Sequence, residues 1–590
     1  AIIAVLVFHL RPASLPGGYL GVDLFFVVSG FLITTLLLRE LRGHGRLNLP
    51  QFWVRRARRL LPALVVVVLV SLSLSVVVGG DLLVNIGRQT FGALTFSNNW
   101  MEIAAGSDYF SHTSPMLFKN FWSLAVEEQF YLFWPVAFAA VMAFLSTERH
   151  RLWVVLAAAA ASGAGMAIVF QLGSTDSRVY YGTDTHLFGL MIGVALAFVF
   201  SSSTQPLSSP RWKAIRARAA LGALGGLLLL MATMGQSSWF TFRGGIVAAS
   251  LLAAVLIAGI LGEETALQRS LRWAPLAWVG ERSYGLYLWH WPLILIVSAA
   301  LPATLADSAL SWFSRALAVT LSVLAAWASY RWVEMPVRQL GFRVAVTEFA
   351  RWVAQPWAQA RLPRLTAATL AVLMGLSIVA VASAPTKSAV QRQIESGEVI
   401  AQQSVAQESV APPAPAPTAA VADFSMPTGP EITAFGDSLV VTSSSGLTNR
   451  LPGIMIDAKS NRQWPAGEQA VQARLAEGTV RRAVVLDFGT NAGVSDPQLV
   501  HNVINALGPT RMIVLVNLFG SWEEDNPKLA TIAAQHPNVI IADWASAISQ
   551  QPGLLQADGV HPGIKGAVLY ADVIKDAFAQ LSARMSAPHR

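Results

Sequence analysis

Apolar residues along this chain come in runs of about twenty, the length a helix needs to cross a hydrocarbon core. Eleven such runs lie near 1–10, 20–38, 61–79, 122–144, 152–172, 184–201, 218–235, 243–261, 285–300, 311–332 and 365–384, each a predicted transmembrane helix. The first run is incomplete. The chain opens on Ala1 inside it, so part of the N-terminus is expected to be missing. Basic residues gather in alternate loops. One, near 39–60, holds RELRGHGRLNLPQFWVRRARR, the next, near 145–151, holds STERHRL, the next holds RWKAIRAR near 202–217, and 333–364 is again rich in Arg. The loops between, such as 80–121 and 173–183, are poor in basic residues. The positive-inside rule then puts the basic loops in the cytoplasm, and an odd number of crossings puts everything after 384 outside.

Beyond 384 the pattern changes. Residues 385–424 are rich in Ala, Gln, Ser, Val and Pro and end in APPAPAPTAA. That composition predicts a flexible tether, with a helical stalk over 388–405 as the alternative. Residues 425–590 read as a separate soluble unit of domain size. Short apolar runs (EITAF, GIMIDA, AVVLDF, MIVLVNL, VIIADW) alternate with amphipathic stretches near 496–507, 524–536 and 564–582. Strands alternating with helices predict an α/β unit, a parallel sheet covered on both faces. There is no internal repeat.

Composition sharpens this picture. The 590 residues are 54% hydrophobic and only 13% charged, about half the charged share of a soluble protein. A net charge of +8 would elsewhere suggest nucleic acid. Here membrane topology accounts for the clustered basic residues, and no nucleic-acid partner is expected. The absence of cysteine excludes disulfides, thiolate metal sites and cysteine catalysis. No metal is expected. Oligomeric state is not legible.

Chemistry concentrates first in the soluble unit. Gly436-Asp437-Ser438 follows the first strand, Gly489 and Asn491 follow the third, and Asp558 and His561 precede the last helix. Sites in open parallel sheets lie beyond the carboxyl ends of the strands. A serine becomes a nucleophile when an imidazole takes its proton and a carboxylate orients that imidazole. Taken singly, Ser438 could cap a helix, Asn491 could be a turn residue and His561 a surface histidine. In this order they resemble the SGNH hydrolase family, whose blocks are GDS, a central Gly, GxN and DxxH. The resemblance implies Ser438 as nucleophile, His561 as base, Asp558 as its orienter, and Asn491 with the Ser438 amide as oxyanion donors. One block departs: Ser460 and Asn461 stand where the family has glycine.

The second concentration is inside the apolar runs, where charged side chains are costly and usually functional. His9, Asp23, Glu127, Glu128, His290 and Glu334 all sit there. Each could instead be a helix-packing or interfacial residue, and Trp and Tyr around Glu128 and His290 suit a membrane interface. Arg55, Arg56, Arg58 and Arg59 mark a cytoplasmic boundary as topogenic charge. Arg56 and Arg59 also share a helical face, as a phosphate site requires.

The stretches AVLVFHL, GYLGVDLFFVVSGFLITTLLL, FWVRRARRLLPA, FWSLAVEEQFYLFWP, YYGTDTHLFG, SYGLYLWHWP and SYRWVEMP together resemble the membrane acyltransferase-three family. In that family ten spans use cytoplasmic acetyl-CoA to acylate acceptors outside. The resemblance implies acetyl-CoA as donor, His9 as a catalytic residue, and Arg56 and Arg59 as the RxxR pair. The family's basic residue upstream of that histidine would precede residue 1. Two positions depart: Asn120 replaces a frequent His before WSL, and His186 a frequent Arg after GTDT. A ten-span domain over 1–340, a cytoplasmic segment and eleventh span over 341–384, a tether over 385–424 and an SGNH domain over 425–590 look like the bifunctional bacterial O-acetyltransferases. The expected enzyme sits in the bacterial plasma membrane, with its C-terminal domain extracytoplasmic. It would acetylate a surface glycan, with peptidoglycan favoured by YYGTDT and the tethered SGNH arrangement. Alternatives are another surface polysaccharide of O-antigen or capsule type, an SGNH esterase on a membrane anchor, or a non-enzymatic transporter or receptor.

Overall fold

The computed structural model describes all residues except 107–114, 237, 263–264, 302–307, 356–360, 411–421, 557 and 587–590. It divides into two compact units, the first ending at Thr386 and the second running from Lys387.

The first unit is helical. Every one of the eleven apolar runs is a helix, but they are not equivalent as spans. Eight helices among the described residues are long and apolar enough to cross a bilayer: Gly18–His44, Leu49–Val78, Glu148–Gln171, Thr183–Phe200, Pro210–Thr233, Thr241–Ile260, Ala309–Leu340 and Arg361–Ala382. Three predicted spans fall outside that set. Helix α1 (Ile2–Leu10) has only 9 residues. In α4 (Phe121–Phe144) the run Glu127-Glu128-Gln129 lowers the hydropathy. In α5 (Ser283–Ala300), which carries Pro292, the Tyr, Trp and His residues do the same.

Two more helices carry the argument in this unit, α2 (Gly21–His44) and α3 (Leu49–Val78). Asn48 caps α3 by accepting from the Gln51 amide. Small residues allow close packing. A Cβ on Gly30 of α2 would overlap the Leu190 carbonyl, so α2 lies in backbone contact with the helix Phe188–Phe200. α6 (Arg361–Ala382) is the last apolar helix of the unit.

The second unit opens with a helix rather than a tether. α7 (Ala389–Val410) follows the alternative reading of a helical 388–405 and extends it. The APPAPAPTAA stretch falls on residues outside those described. Then comes a five-stranded sheet of β1 (Ile432–Gly436), β2 (Met455–Ala458), β3 (Ala483–Asp487), β4 (Met512–Val516) and β5 (Val539–Ala542), in the order β2-β1-β3-β4-β5. Every neighbouring pair is parallel. β1, β3 and β4 are buried at every position, which is why they read as unbroken apolar runs. One core, including Val440, Tyr570 and Phe578, joins the sheet to α8 (Ser438–Arg450) and α9 (Ile564–Ser586). A second core on other strand residues, including Leu486 and Ile513, joins it to Trp464 and Val503. The chain leaves β1 towards β2 on one side and pairs with β3 on the other, so the carboxyl ends of β1 and β3 flank the crevice where such sheets bind ligands.

Candidate active sites

In the second unit the strand β1 ends at Gly436, and Ser438 begins helix α8. Asp437, between them, caps the helix by accepting from the Leu439 amide at 2.9 Å. The hydroxyl of Ser438 lies 2.8 Å from His561 Nε2. The other ring nitrogen, Nδ1, lies 2.7 Å from Asp558 Oδ2. A carboxylate only accepts, so Nδ1 carries the proton, Nε2 holds a lone pair, and the serine hydroxyl donates to it. Asp558 also accepts from the Val560 and His561 amides, both at 3.0 Å. Burial alone would raise its carboxyl, but the His561 ring and the two amides outweigh it and hold the group below the usual range. The site is thus a serine hydroxyl aimed at an oriented base.

Asn491 follows β3 in an exposed position. Its neighbour Thr490 fixes the loop to the nucleophile turn, donating to Asp437 through its amide (3.1 Å) and its hydroxyl (3.0 Å). Sequence alone does not reveal this clamp, although the GDS block already contains its acceptor. In the departing block, Asn461 has φ +63°. That left-handed backbone suits glycine and is tolerated by asparagine, so the turn survives the replacement.

Beneath the nucleophile turn lies a second acidic group that no sequence motif marks. Asp487, at the end of β3, is buried and accepts from the Tyr570 hydroxyl at 2.6 Å. Burial, then the nearby Asp437 charge, drive its carboxyl well above the usual range. Burial pushes Asp437 up to about 6, against donors from Leu439 and Thr490 and the nearby His561. Both folded values lie above the unfolded ones. The stability these groups contribute is therefore complete below about pH 4 and is lost as pH rises through 6 and beyond, by up to about 1.4 kcal/mol per pH unit for each group. Asp487→Asn should flatten that decline. The difference in melting temperature between pH 5 and pH 8 for the second unit should shrink by several degrees, of the order of 5 °C. An unchanged slope would show that Asp487 is ionised in the fold.

In the first unit the polar residues make several separate contacts. His9 Nδ1 and His290 Nε2 are 3.0 Å apart. Asp23 Oδ1 and His186 Nε2 are 2.7 Å apart, both side chains fully buried, and His186 Nδ1 lies 2.8 Å from the Tyr180 carbonyl. The departing residue His186 is thus the partner of Asp23. Glu127 accepts from the Ser29 hydroxyl at 2.8 Å, and Glu334 from Ser329 at 3.4 Å. Asn120, the other departure, donates to the Tyr287 carbonyl at 2.7 Å.

Arg56 and Arg59 line a cavity of about 730 Å³ together with Arg39, Arg46, Arg55 and Arg338. The Arg56 guanidinium sits 5.6 Å from the Phe52 ring and 5.5 Å from that of Tyr131. Arg55 is tied to Glu40 at 3.0 Å. Glu127 and Glu128 lie within electrostatic range of Arg56 and Arg59. Among the described residues, Glu40 is the only acidic side chain lining the cavity, which suits a ligand with several phosphates.

The sequence profile of an acyltransferase domain family matches residues 1–331. Over 97% of this chain and 96% of the other, the sequence is 31% identical to peptidoglycan O-acetyltransferase OatA of Listeria monocytogenes. It is likewise 31% identical to YrhL of Bacillus subtilis, over 96% of this chain and 95% of that one. The solved C-terminal catalytic domain of peptidoglycan O-acetyltransferase A from Streptococcus pneumoniae aligns at 21% identity and a TM-score of 0.24, covering 26% of this chain and 94% of that one. At that score the superposition bears no weight, and the fold rests on the sheet described above.

Proposed function

The chain belongs to the membrane acyltransferase-three family and is an O-acetyltransferase, and from that premise we propose that it carries acetyl groups from cytoplasmic acetyl-CoA onto sugar hydroxyls of peptidoglycan. The observation that carries this reading is a complete Ser438–His561–Asp558 constellation in the same chain as the acyltransferase helices. In this reading α1, α4 and α5 join seven of the eight longer helices to make ten core spans, and the eighth, α6, is the eleventh. The second unit then stands outside the plasma membrane.

The arginine-lined cavity takes the pyrophosphate and ribose phosphate of acetyl-CoA, with Arg56 and Arg59 on the phosphates. His9 serves the transfer through the membrane, with Asp23, Glu127, Glu128 and His290 in its supporting polar framework. Outside, the Ser438 oxygen attacks the acetyl carbonyl and its proton passes to His561 Nε2. The Ser438 amide and Asn491 hold the oxyanion, the bond between the acetyl carbonyl and the group that delivered it breaks, and that group leaves with the proton from His561. In the second half-reaction a muramic-acid hydroxyl gives its proton to His561 and attacks the acetyl-serine. The ester forms on the sugar, and Ser438 leaves with the proton from His561. Asp558 keeps the ring oriented throughout.

The test uses full-length protein in vesicles, with labelled acetyl-CoA on the cytoplasmic side and muropeptide or chitooligosaccharide on the other. Labelled ester should appear on the far-side sugar. Arg56→Ala and Arg59→Ala should each raise the KM for acetyl-CoA about 10- to 100-fold, the value of a charge-assisted phosphate contact of about 1.5–3 kcal/mol. Label recovered only as free acetate would replace transfer with hydrolysis. Unchanged KM values would leave the arginines a purely topogenic role.

A further inference from the structure

We propose that the helix Phe342–Val353 lies along the cytoplasmic surface of the membrane, with its apolar side in the anionic inner leaflet. The proposal rests on the first unit spanning the membrane with its basic loops inside, and not on the chemistry of either site. Wound at about 100° per residue, Phe342, Ala345, Val346, Phe349, Trp352 and Val353 share one side of this helix. Arg343, Thr347, Glu348 and Arg351 share the other. In a water-soluble protein such an apolar side is buried in a core. Here no residue of the helix is buried, and Val346 and Phe349 are 64% and 39% exposed. Its 12 residues are too few to cross a hydrocarbon core. A two-sided helix with aromatic residues on one side and arginines on the other has the form that lies in a membrane interface.

Its neighbours place it at that depth. The membrane-length helix Ala309–Leu340 ends directly before it, and α6, also long and apolar enough to cross, follows it. Gly341 makes the break. Its φ of +81° stops the helix Met335–Leu340 and lets Phe342–Val353 start afresh, free of the axis of the preceding span. Gly341 also packs against α3, where a Cβ would come within 2.9 Å of the Arg58 guanidinium. Arg58 belongs to the run of arginines from 55 to 59 that marks the cytoplasmic boundary of α3. The helix therefore begins at the boundary between membrane and water, between two segments that cross it. Charge selects the lipid. The stretch 335–353 holds Arg338, Arg343 and Arg351 and one acidic residue, Glu348. Neither Arg343 nor Arg351 is paired to a carboxylate among the described residues, so both are available to anionic headgroups.

The chain has no cysteine, so each introduced cysteine is a unique labelling site. Phe349→Cys puts a fluorophore on the apolar side and Thr347→Cys puts one on the basic side. Both are made in the full chain, in inside-out vesicles that turn the cytoplasmic surface outward. Lipid brominated along its chains should quench the 349 label and spare the 347 label, and iodide added outside should do the reverse. Val346→Cys repeats the apolar-side measurement should Phe349→Cys insert poorly. Brominated phosphatidylglycerol should quench the 349 label more than brominated phosphatidylcholine at equal fraction. Arg343→Gln and Arg351→Gln should each lower that preference by up to about fivefold, the value of a basic residue at an anionic surface. Iodide quenching of both labels would leave the helix in water. Quenching of neither label by brominated lipid would seat its apolar side on protein. Either result overturns the proposal. Iodide reaching the 347 label only from the opposite face would overturn the cytoplasmic placement, and equal quenching by the two lipids would overturn the anionic partner. None of these readouts depends on acetyl transfer, so a failure here and a failure of the proposed reaction are told apart.

Discussion

Ser438→Ala should abolish acetyl transfer to the glycan, by a factor of about 10⁴ or more, and should leave the fold of the second unit nearly unchanged. Both halves follow from the geometry. The hydroxyl oxygen is the only heavy atom lost, and it is the atom that forms the acyl bond. In serine hydrolases, loss of the nucleophile alone costs about as much as loss of the whole triad. Structurally the change removes one hydrogen bond, from Ser438 to His561 Nε2, worth about 1 kcal/mol. His561 keeps its bond to Asp558. An activated acetyl ester given to wild type should yield acetyl-Ser438 detectable by mass spectrometry, and sugar acceptors should accelerate its turnover. Asn491→Ala should form the same adduct about 10²- to 10³-fold more slowly, the usual cost of one oxyanion donor. An adduct on another residue, or Ser438→Ala with more than a tenth of wild-type activity, would remove the serine from the reaction.

The triad is legible in the sequence because its parts lie at strand ends and ahead of the final helix, and parallel strands buried on both faces announce themselves as apolar runs. EITAF, AVVLDF and MIVLVNL coincide with β1, β3 and β4. What stays hidden is tertiary. Nothing local says that Thr490 will grip Asp437 or that Tyr570 will reach Asp487, 83 residues away. In the first unit the polar residues are visible as exceptions in apolar runs, but their pairing is not. His9 meets His290 across 281 positions, and Asp23 meets His186 across 163. In the sequence His186 stands out only as a departure, and the structure explains it as the partner of a buried carboxyl. The span count is blurred for a related reason. Helices α4 and α5 are mixed in character because they carry Glu127, Glu128 and His290.

Starting the second unit at residue 425, as composition suggests, should yield a domain markedly less stable than one starting at 387. The physical reason is α7. A Cβ on Gly397 would overlap the Val441 carbonyl, so α7 lies in backbone contact with α8, the helix that Ser438 begins. Ser404 accepts from the Ile456 amide and donates to its carbonyl, satisfying β2, an edge strand of the sheet. Unpaired edge groups otherwise invite aggregation. Ala401 joins the core beneath. Gln393 ties the two halves of the catalytic machinery together. Its amide donates to the Thr442 carbonyl at 2.8 Å and to the Pro562 carbonyl at 2.9 Å, while its oxygen accepts from Gln556 at 2.8 Å. Thr442 is one turn into the nucleophile helix, and Pro562 follows His561. Losing these bonds and the buried apolar surface should cost about 3–5 kcal/mol, or about 10 °C in melting temperature. Gln393→Ala in the longer domain separates positioning from bulk stability. It should slow formation of acetyl-Ser438 about tenfold while the melting temperature drops by only a few degrees, about 1 kcal/mol. If the 425 and 387 domains melt together and acylate at the same rate, α7 is a spacer and its contacts with the sheet contribute nothing to the site.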